Sequence, residues 1–392
     1  MMIERRQMGQ SGTKGSILGF GCMRLPLNSS KNDDIDEALA TQTLRLAIDR
    51  GVNYVDTAYP YHSSKGFNQA GASEPFVGLA LSGGYREKVL LATKLPSWLV
   101  ESRADMDKFL DLQLKRLKTS QIDFYLAHNL NINVWDKLLA LGLREFMDEA
   151  VRDGRIRFPS FSFHDQYPVF EKVLNGYDWV MAQIQYNYLD KAYQAGQAGL
   201  RLAAKKGLAV VIMEPLRGGF LVNQMPERPV SWLKEARPDW TLPAWGLNWL
   251  WNQPECSVVL SGLSNLTQTE ENLTLAENFK AGFFTDKDEA VIDKVGAFFR
   301  TRLVADCSGC GYCLPCPVGV NIPKNLTLLN QYYLFDGDAP RQICQILYNE
   351  QVGPEEKASG CQACGECVDR CPQSLNIPDL LSQTVNLYLK NA

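Results

Sequence analysis

Residues 52–128 contain three short apolar runs, VNYVDTA (52–58), VLLATKL (89–95) and IDFYLAH (122–128), which longer segments of helical periodicity separate. Short apolar runs rich in β-branched and aromatic residues predict buried strands. The same pattern extends in both directions, with further strand candidates at 16–23, 156–163, 179–186, 208–215 and 256–263. Eight strands that alternate with helices over about 280 residues predict a (β/α)8 TIM barrel of the α/β class.

The helix candidates lie between these strands, at 33–51, 73–83, 103–119, 135–154, 197–207, 242–253 and 265–279. Glycine follows several of them, as is common just past a helix C-terminus. The alternative fold is an open, doubly wound sheet, which usually has a GxGxxG turn after its first strand. The first strand candidate instead ends in GFGCMR (19–24), so we favour the barrel.

The composition is that of an ordinary globular protein, with 45% hydrophobic and 21% charged residues. Lys and Arg number 40 against 44 Asp and Glu, and the net charge of −4 argues against a nucleic-acid partner, which needs a basic face. No apolar run reaches the length of about 18 residues that a membrane span needs. The start, MMIERRQMGQSG, lacks the apolar stretch of a signal peptide, so we expect a cytoplasmic location.

Eight of the eleven cysteines lie in two runs, CSGCGYCLPCP (307–317) and CQACGECVDRCP (361–372). Cytoplasmic thiols are kept reduced, so a disulfide framework is not expected. The second run has the C-x2-C-x2-C-x3-C-P spacing of bacterial ferredoxins, and the first differs in its last gap. Soft thiolates suit iron–sulfur clusters, whereas structural zinc sites, the alternative, usually separate two CxxC pairs by a longer loop. We therefore predict two [4Fe-4S] clusters.

In two-cluster ferredoxins, the fourth cysteine of each run binds the other cluster. On that arrangement one cluster takes Cys307, Cys310, Cys313 and Cys371, and the other takes Cys361, Cys364, Cys367 and Cys316. The connecting residues contain helical patterns at 322–335 and 339–351, which indicate a helical ferredoxin-like two-cluster domain. Cys344 lies in the second pattern, and we predict a packed thiol there.

The change of pattern after Phe284 predicts three parts. They are a barrel at 1–285, a linking helix at 286–305 and a 4Fe-4S ferredoxin-type domain at 306–392. Thr285 is the predicted N-cap of the linking helix.

Four polar residues lie at or just after the C-terminal ends of three consecutive strand candidates: Asp56, Tyr61, Lys94 and His128. Each alone has an ordinary structural interpretation, such as a helix cap, a packed ring, a solvated cation or a structural histidine. Because TIM-barrel active sites lie at the C-terminal ends of the strands, the four together predict one catalytic site.

The segments GVNYVDTAYPYH (51–62), LLATKL (90–95) and IDFYLAHN (122–129) resemble signatures of the aldo-keto reductase superfamily. The resemblance extends through most of residues 1–285 and implies NAD(P)H-dependent reduction of an aldehyde or ketone, or the reverse oxidation of an alcohol. It implies that Tyr61 is the general acid for the carbonyl oxygen and that Lys94, with Asp56 as counter-ion, favours ionisation of that phenol. His128 would hydrogen-bond the substrate oxygen.

The same resemblance implies a set of cofactor contacts. Ser162 and Gln183 would contact the nicotinamide amide, and Met213 would take the place of the aromatic residue that often stacks on the nicotinamide ring. The residues implied for the pyrophosphate are Pro215, Leu216 and Gly218 of PLRGG, and those implied for the adenosine part are Gly262, Gln268, Glu271 and Asn272.

Two of these positions bear on the choice of cofactor. Gly262 and Gln268 are neutral where NADPH-preferring relatives carry basic residues, so we predict no strong preference for NADPH. His62 and His164 are predicted to be packing or rim residues.

The chain as a whole resembles a branch of the superfamily that carries a C-terminal 4Fe-4S domain. The clusters would either exchange electrons with a redox partner protein or only stabilise the tail. The alternative function is an electron-transfer protein whose barrel binds a ligand without hydride chemistry. Hydride transfer moves two electrons and a cluster normally passes one, and no sequence signal for an intermediary flavin is present.

Overall fold

A short hairpin precedes a closed barrel in the computed structural model, which describes residues 2–223, 225–334 and 338–388. The hairpin pairs β1 (Arg5–Gln7) with β2 (Lys14–Ser16). The parallel barrel strands are β3 (Leu18–Gly21), β4 (Tyr54–Asp56), β5 (Leu90–Leu95), β6 (Ile122–Leu130), β7 (Ile156–Phe163), β8 (Met181–Gln185), β9 (Ala209–Met213) and β10 (Val258–Ser261). They follow one another in chain order and β10 pairs with β3, so the predicted TIM barrel is confirmed.

Helices follow the strands and form the C-terminal part. They are α1 (Glu37–Asp49), α2 (Ser73–Ala80), α3 (Arg103–Arg116), α4 (Ile132–Ala140), α5 (Leu143–Arg152), α6 (Tyr167–Leu174), α7 (Gly196–Lys205), α8 (Phe220–Asn223), α9 (Glu227–Ala236), α10 (Leu242–Trp251), α11 (Leu266–Asn278), α12 (Asp286–Arg300), α13 (Ile322–Leu334), α14 (Asp338–Gln351), α15 (Glu366–Asp369) and α16 (Ile377–Tyr388). Within the described ranges, no helix combines the length and the apolar character that crossing a membrane requires.

One predicted helix is divided in the structure. The pattern at 135–154 forms α4 and α5, because Gly142 between them adopts a left-handed backbone with φ of 83°. The helices α6, α8, α9, α15 and α16 were not predicted. Thr285 caps α12 as expected, since its side chain accepts a hydrogen bond from the Asp288 backbone N–H.

Alternate side chains of each strand point inward, where they fill the barrel interior and place the next inward-facing residues toward the C-terminal ends of the strands. Tyr54, Ala92, Leu126, Met181 and Val211 belong to one buried apolar cluster, and each lies on a different strand. Because successive side chains of a strand point to opposite faces, the residue two positions further along points inward as well. Those next inward positions are Asp56, Lys94, His128, Gln183 and Met213.

The hairpin supports the barrel at the N-terminal ends of the strands. Met8 is fully buried in the interior cluster. Arg6 donates hydrogen bonds at 2.9 Å to the backbone oxygens of Gln253 and Cys256, and it also contacts the Trp251 oxygen. These bonds satisfy carbonyl groups near the end of α10 and fix the hairpin to the segment before β10.

The chain divides into two compact units. The first comprises Met1–Ser64, Asn68–Pro215 and Gly246–Phe284, and the second comprises Lys65–Phe67, Leu216–Trp245 and Thr285–Ala392. The segments Lys65–Phe67 and Leu216–Trp245 belong to the second unit, although they follow barrel strands in the sequence. The predicted division into 1–285, 286–305 and 306–392 stays a prediction.

The second unit has its own core, formed by helices around the cysteine runs. Val320, Leu326 and Leu329 are buried in it together with residues of α16. Cys344 is buried, and the rings of Tyr348 and Tyr388 stack at 4.4 Å with nearly parallel planes. The Tyr388 hydroxyl donates to the Leu328 oxygen at 2.7 Å, so these buried hydroxyls are satisfied while their rings pack.

Candidate active site and cysteine-rich sites

Lys94 lies at the centre of the candidate active site, near the C-terminal end of β5. Its side chain is 1% exposed, and its Nζ donates hydrogen bonds to Asp56 Oδ1 at 2.7 Å and to the Thr57 backbone oxygen at 2.8 Å. The Tyr61 hydroxyl oxygen accepts from the same Nζ at 3.3 Å. Lys94 is therefore in direct contact with both of the other predicted residues, Asp56 and Tyr61.

Burial and charge act in opposite directions on the Asp56–Lys94 pair. Burial raises the pKa of Asp56 and lowers the pKa of Lys94, because removal from water disfavours each charged form. Each charge opposes the shift in its partner, and the 2.7 Å contact favours the ionised pair. Buried ion pairs add little net stability, so this one is better explained by chemistry at the site than by the needs of folding.

His128 lies beside the tyrosine, with a ring-centroid distance of 6.3 Å to Tyr61 and an edge-to-face arrangement. Its backbone N–H donates to Ser97 Oγ at 2.9 Å, and the strand register shifts between Ala127 and Leu130. Such bulges often reorient a side chain next to an active site. Burial, reinforced by the Lys94 charge, holds the pKa of His128 well below 6.5, so the imidazole is neutral near pH 7.

The other two histidines have different surroundings. His62 is buried; its Nε2 accepts from the Leu25 backbone N–H at 3.1 Å, and its Nδ1 lies 2.8 Å from the Asn32 oxygen. These bonds hold the loop after β3 against the loop after β4. His164 follows β7, and burial lowers its pKa to about 4.

The buried histidines make the first unit sensitive to acid. The unfolded chain binds more protons than the folded one between pH 6.5 and about 4, because His164 takes up its proton only below that range when folded. Stability should therefore fall as pH decreases from 6.5 toward 4, by about 3 kcal/mol for one such histidine. Urea unfolding near neutral pH and at about pH 5 measures about 2 kcal/mol of this loss, because the remainder develops only toward pH 4. An equal loss in the His164→Gln variant would contradict the assignment to His164.

Three predicted nicotinamide contacts lie on neighbouring strands. Ser162 on β7 pairs in register with Gln183 on β8, and Met213 ends β9. Ser162 Oγ accepts from the Asn129 backbone N–H at 2.8 Å, which leaves its hydroxyl hydrogen to donate. The Gln183 amide interacts with the Asp56 carboxylate and lowers its pKa, while the buried Gln183 Oε1 has no hydrogen-bond partner among the described residues.

The predicted adenosine contacts lie at β10 and the start of α11. Asn272 Nδ2 donates to Ser261 Oγ at 2.9 Å, and Gln268 Oε1 accepts from the Ser264 backbone N–H at 3.2 Å. Glu271 is half-buried on the same helix. Gly262 is exposed, and a β-carbon added there would lie 3.2 Å from the Arg24 side chain. The aliphatic part of the Arg24 side chain therefore lies beside Gly262, which sequence spacing did not predict.

The PLRGG loop continues from β9. Pro215 is buried and ends a segment of the first unit, whereas Leu216 and Gly218 belong to the second. Gly218 has φ of 63° in the turn Arg217–Gly219. The Arg217 side chain, 3% exposed, donates from Nη2 to Asp306 Oδ1 at 2.6 Å.

The two cysteine runs have the same local backbone. Gly309 and Ala363 are equivalent positions with φ of 67° and 53°, and Gly311 and Gly365 have φ of 78° and 84°. The N–H groups of Gly309 and Ala363 each donate to the sulfur two residues earlier, at 3.4 Å. A left-handed conformation is unfavourable for alanine, so its repetition indicates a shared requirement. Backbone N–H groups directed at thiolates suit an anionic cluster.

The thiols form two groups, and each group draws on both runs. We assign them by electrostatic effect: Cys307 and Cys371 raise the pKa of Cys313, which defines the first group, and Cys361, Cys364 and Cys316 raise the pKa of Cys367, which defines the second. Cys367 also acts on Cys313, but less strongly. Burial, reinforced by the neighbouring thiols, raises the pKa of Cys367 to about 11 and raises the pKa of Cys313. One cavity is lined by five cysteines, namely Cys313 of the first group and the four of the second.

Sequence reasoning missed two further residues near the candidate catalytic residues. Trp98, in the turn Ser97–Leu99 after β5, lies 5.3 Å from the His128 ring. The sequence feature that could have identified Trp98 is an aromatic residue just after the end of a predicted strand. Cys22, in the turn after β3, is buried, and burial raises the pKa of its thiol, with the Asp56 carboxylate adding to the shift. That thiol is therefore neutral, and it is not part of either cysteine run.

Residues 17–295 match the Aldo/keto reductase family, and residues 306–377 match the 4Fe-4S dicluster domain. Because the first match covers more than half of the 392 residues, the chain belongs to the aldo/keto reductase family. It also carries a 4Fe-4S ferredoxin-type domain, which is helical in the structure. The predicted resemblances, of the barrel to aldo-keto reductases and of the C-terminal part to 4Fe-4S ferredoxin-type domains, are confirmed.

Individual relatives agree with this assignment. The uncharacterized oxidoreductase YqkF of Bacillus subtilis is 26% identical over 305 residues, which cover 70% of this chain and 91% of that protein. The 6-dehydroglucose reductase of Novosphingobium aromaticivorans is 31% identical over 234 residues, 57% of this chain and 72% of that protein. Among solved structures, the holo form of aldo-keto reductase AKR11C1 from Bacillus halodurans has a TM-score of 0.61 at 26% identity, covering 75% of this chain and 96% of that one.

Proposed function

We propose that the protein reduces a small aldehyde or ketone with NAD(P)H, or oxidises the corresponding alcohol. The contact of Lys94 Nζ with both the Asp56 carboxylate and the Tyr61 hydroxyl carries this proposal. An isolated phenol is a weak acid near pH 7, and a buried ammonium beside it stabilises the phenolate that remains after proton donation. Lys94 thus prepares Tyr61 to hold a proton at its hydroxyl and to release it to a substrate oxygen.

His128 and Asp56 complete the proposed site. The neutral imidazole of His128 donates a hydrogen bond to the carbonyl oxygen without adding a second cation beside Lys94. Asp56 fixes the ammonium through the 2.7 Å contact, so Lys94 points at the Tyr61 hydroxyl rather than away from it. Trp98, next to His128, provides an apolar surface for the body of the substrate.

The residues on β7, β8 and β9 fit a nicotinamide. The buried Gln183 Oε1 can accept an amide N–H, and the Ser162 hydroxyl can donate to an amide oxygen. Met213 offers a polarizable apolar surface for the ring. When bound, the dinucleotide supplies or accepts the hydride. We propose Pro215, Leu216 and Gly218 for its pyrophosphate, and the adenosine contacts are those proposed for β10 and α11.

We propose that the cysteines hold two [4Fe-4S] clusters with crossed ligation. The groups around Cys313 and Cys367 each include a cysteine of the other run, Cys371 and Cys316 respectively. With Cys310 in the first group, each set has four thiolates. Bound clusters would accept and release single electrons. Thiolate ligands need reduced cysteines, which favours the cytoplasmic location that the sequence predicts.

Small carbonyl compounds are the proposed substrate class. The 6-dehydroglucose reductase relative is, by its name, a reductase of an oxidised sugar, which supports a polar carbonyl compound of similar size. Anaerobic assay of NADH and NADPH oxidation with short aldehydes and oxidised sugars tests the proposal. Nucleotide binding without turnover of any of them would favour the alternative electron-transfer function.

Cofactor choice gives a sharper prediction. Because Gly262 and Gln268 are neutral, NADH and NADPH should bind with affinities within about 100-fold of each other. One charge-assisted contact to the 2′-phosphate is worth roughly 1.5–3 kcal/mol, or about 10- to 150-fold. Calorimetry with both nucleotides measures the ratio. The Arg24 side chain lies beside Gly262, so any remaining NADPH preference should disappear in Arg24→Ala. A preference for NADPH above about 100-fold in the wild-type protein would contradict the prediction.

A further inference from the structure

The ion pair of Arg217 and Asp306 joins two functional segments within the second unit. Arg217 lies in the PLRGG loop, and Asp306 directly precedes Cys307, the first cysteine of its run. Nη2 donates to Oδ1 at 2.6 Å, and the guanidinium carbon lies 5.6 Å from the centre of the Phe220 ring. The partners are 89 positions apart in the sequence, so this is a tertiary contact.

The two partners differ in burial. The Arg217 side chain is 3% exposed, whereas the Asp306 side chain is 54% exposed. A buried guanidinium needs an anionic partner, and Asp306 is one such partner in this structure. The planar guanidinium also matches phosphate, which it binds through paired hydrogen bonds. A dinucleotide pyrophosphate at Leu216 and Gly218 would therefore compete with Asp306 for Arg217.

We propose that Arg217 links nucleotide binding to the reduction potential of the cluster bound by Cys307, Cys310 and Cys313. The inference rests on the proposed function, since it needs both a nucleotide and a cluster. One-electron reduction adds one negative charge to the cluster, and the potential depends on the charges around it. Arg217 neutralises the Asp306 carboxylate next to Cys307, and so favours the reduced form.

Nucleotide binding changes that balance. When Arg217 turns to the pyrophosphate, the Asp306 charge is no longer neutralised, and reduction becomes less favourable. Because coupling between two binding equilibria is reciprocal, reduction must weaken nucleotide binding by the same factor. We expect a factor of about ten, which for a one-electron couple lowers the midpoint potential by about 59 mV.

ADP-ribose is the suitable probe, because it has the pyrophosphate but no nicotinamide to accept hydride. The full-length protein with its clusters is titrated anaerobically, with and without saturating ADP-ribose, and followed by paramagnetic resonance. The signal of the first run is the one lost in Cys310→Ala. ADP-ribose should lower this potential, and its Kd should rise by the same factor when the protein is reduced.

Four variants separate the link from a structural effect. Arg217→Gln should have a lowered potential that ADP-ribose no longer changes, and Arg217→Lys, which keeps the charge, should restore much of the wild-type behaviour. Asp306→Asn should raise the potential and reduce the response, and it tests the link if Arg217→Gln does not fold. The matched control is Arg237→Gln, which breaks the 2.7 Å ion pair with Asp288 in the same unit, and neither partner adjoins a cysteine run in the sequence. It should respond as the wild type does.

The outcomes are distinct. ADP-ribose binding without any change of potential would overturn this inference and leave the proposed reductase standing. An equal loss of response in Arg237→Gln would also overturn it. If the wild-type protein binds neither ADP-ribose nor NAD(P)H, the proposed function fails together with the inference.

Discussion

Tyr61→Phe should lower the rate of carbonyl reduction by about a hundredfold or more. The substitution removes the hydroxyl that accepts a hydrogen bond from Lys94 Nζ at 3.3 Å and keeps the ring beside His128. Without that hydroxyl, no group of the proposed site can give a proton to the substrate oxygen at neutral pH, because Lys94 is held by Asp56 and His128 is neutral. Stopped-flow measurement of NAD(P)H oxidation gives the rate of the chemical step.

Nucleotide binding separates this loss from a disturbed site. Calorimetric Kd values for NADH and NADPH should stay close to wild type in Tyr61→Phe, since the proposed nucleotide contacts lie on other strands. Tyr59→Phe is the matched control, because it removes a phenol two residues earlier whose ring packs on Phe109 at 5.4 Å. Reduction at a near-normal rate by Tyr61→Phe would remove the tyrosine from the catalytic assignment.

Cys371→Ala should damage the cluster of the first run, although the residue lies in the second. The wild-type anaerobic protein should be brown, with about eight irons and eight acid-labile sulfides per chain. In the structure, Cys371 acts electrostatically on Cys313, and Cys316 acts on Cys367. Loss of the Cys371 thiolate should therefore remove the fourth proposed ligand of the cluster that Cys307, Cys310 and Cys313 would hold. Iron and sulfide analysis, with paramagnetic resonance of the reduced protein, measures the result.

Reciprocal variants test the crossing. Cys316→Ala should instead damage the cluster of Cys361, Cys364 and Cys367. Cys344→Ala is the control, because it removes a buried thiol of α14 that belongs to neither group, and its iron content should match the wild type. Damage confined to the second run in Cys371→Ala would refute crossed ligation, and zinc in place of iron would refute the electron-carrier role.

The barrel and its inward-facing polar residues could be predicted from the sequence. Strand alternation is local, so the position two residues after a core residue is known once the strand is known. Asp56 follows Tyr54 and Lys94 follows Ala92 in this way, and parallel strands bring their C-terminal ends to one edge. The cysteine spacing was equally local, because each run places its first three cysteines, the proposed ligands, within a few residues.

Other features depend on contacts between distant parts of the chain. The break at Gly142 was not evident, because the apolar pattern continues across it while the backbone does not. Arg24 next to Gly262 and Arg217 next to Asp306 leave no trace in local periodicity or spacing. The assignment of Lys65–Phe67 and Leu216–Trp245 to the second unit is of the same kind.

The chain thus encodes its barrel, the residues of its proposed catalytic site and its two cysteine runs in patterns that span a few residues each. Folding decides which charges meet: Lys94 with Asp56 at 2.7 Å, and Arg217 with Asp306 across 89 residues. The reason is physical. Backbone geometry fixes the direction of neighbouring side chains, whereas contacts between remote segments depend on how whole helices and loops pack, and on the need of each buried charge for a partner.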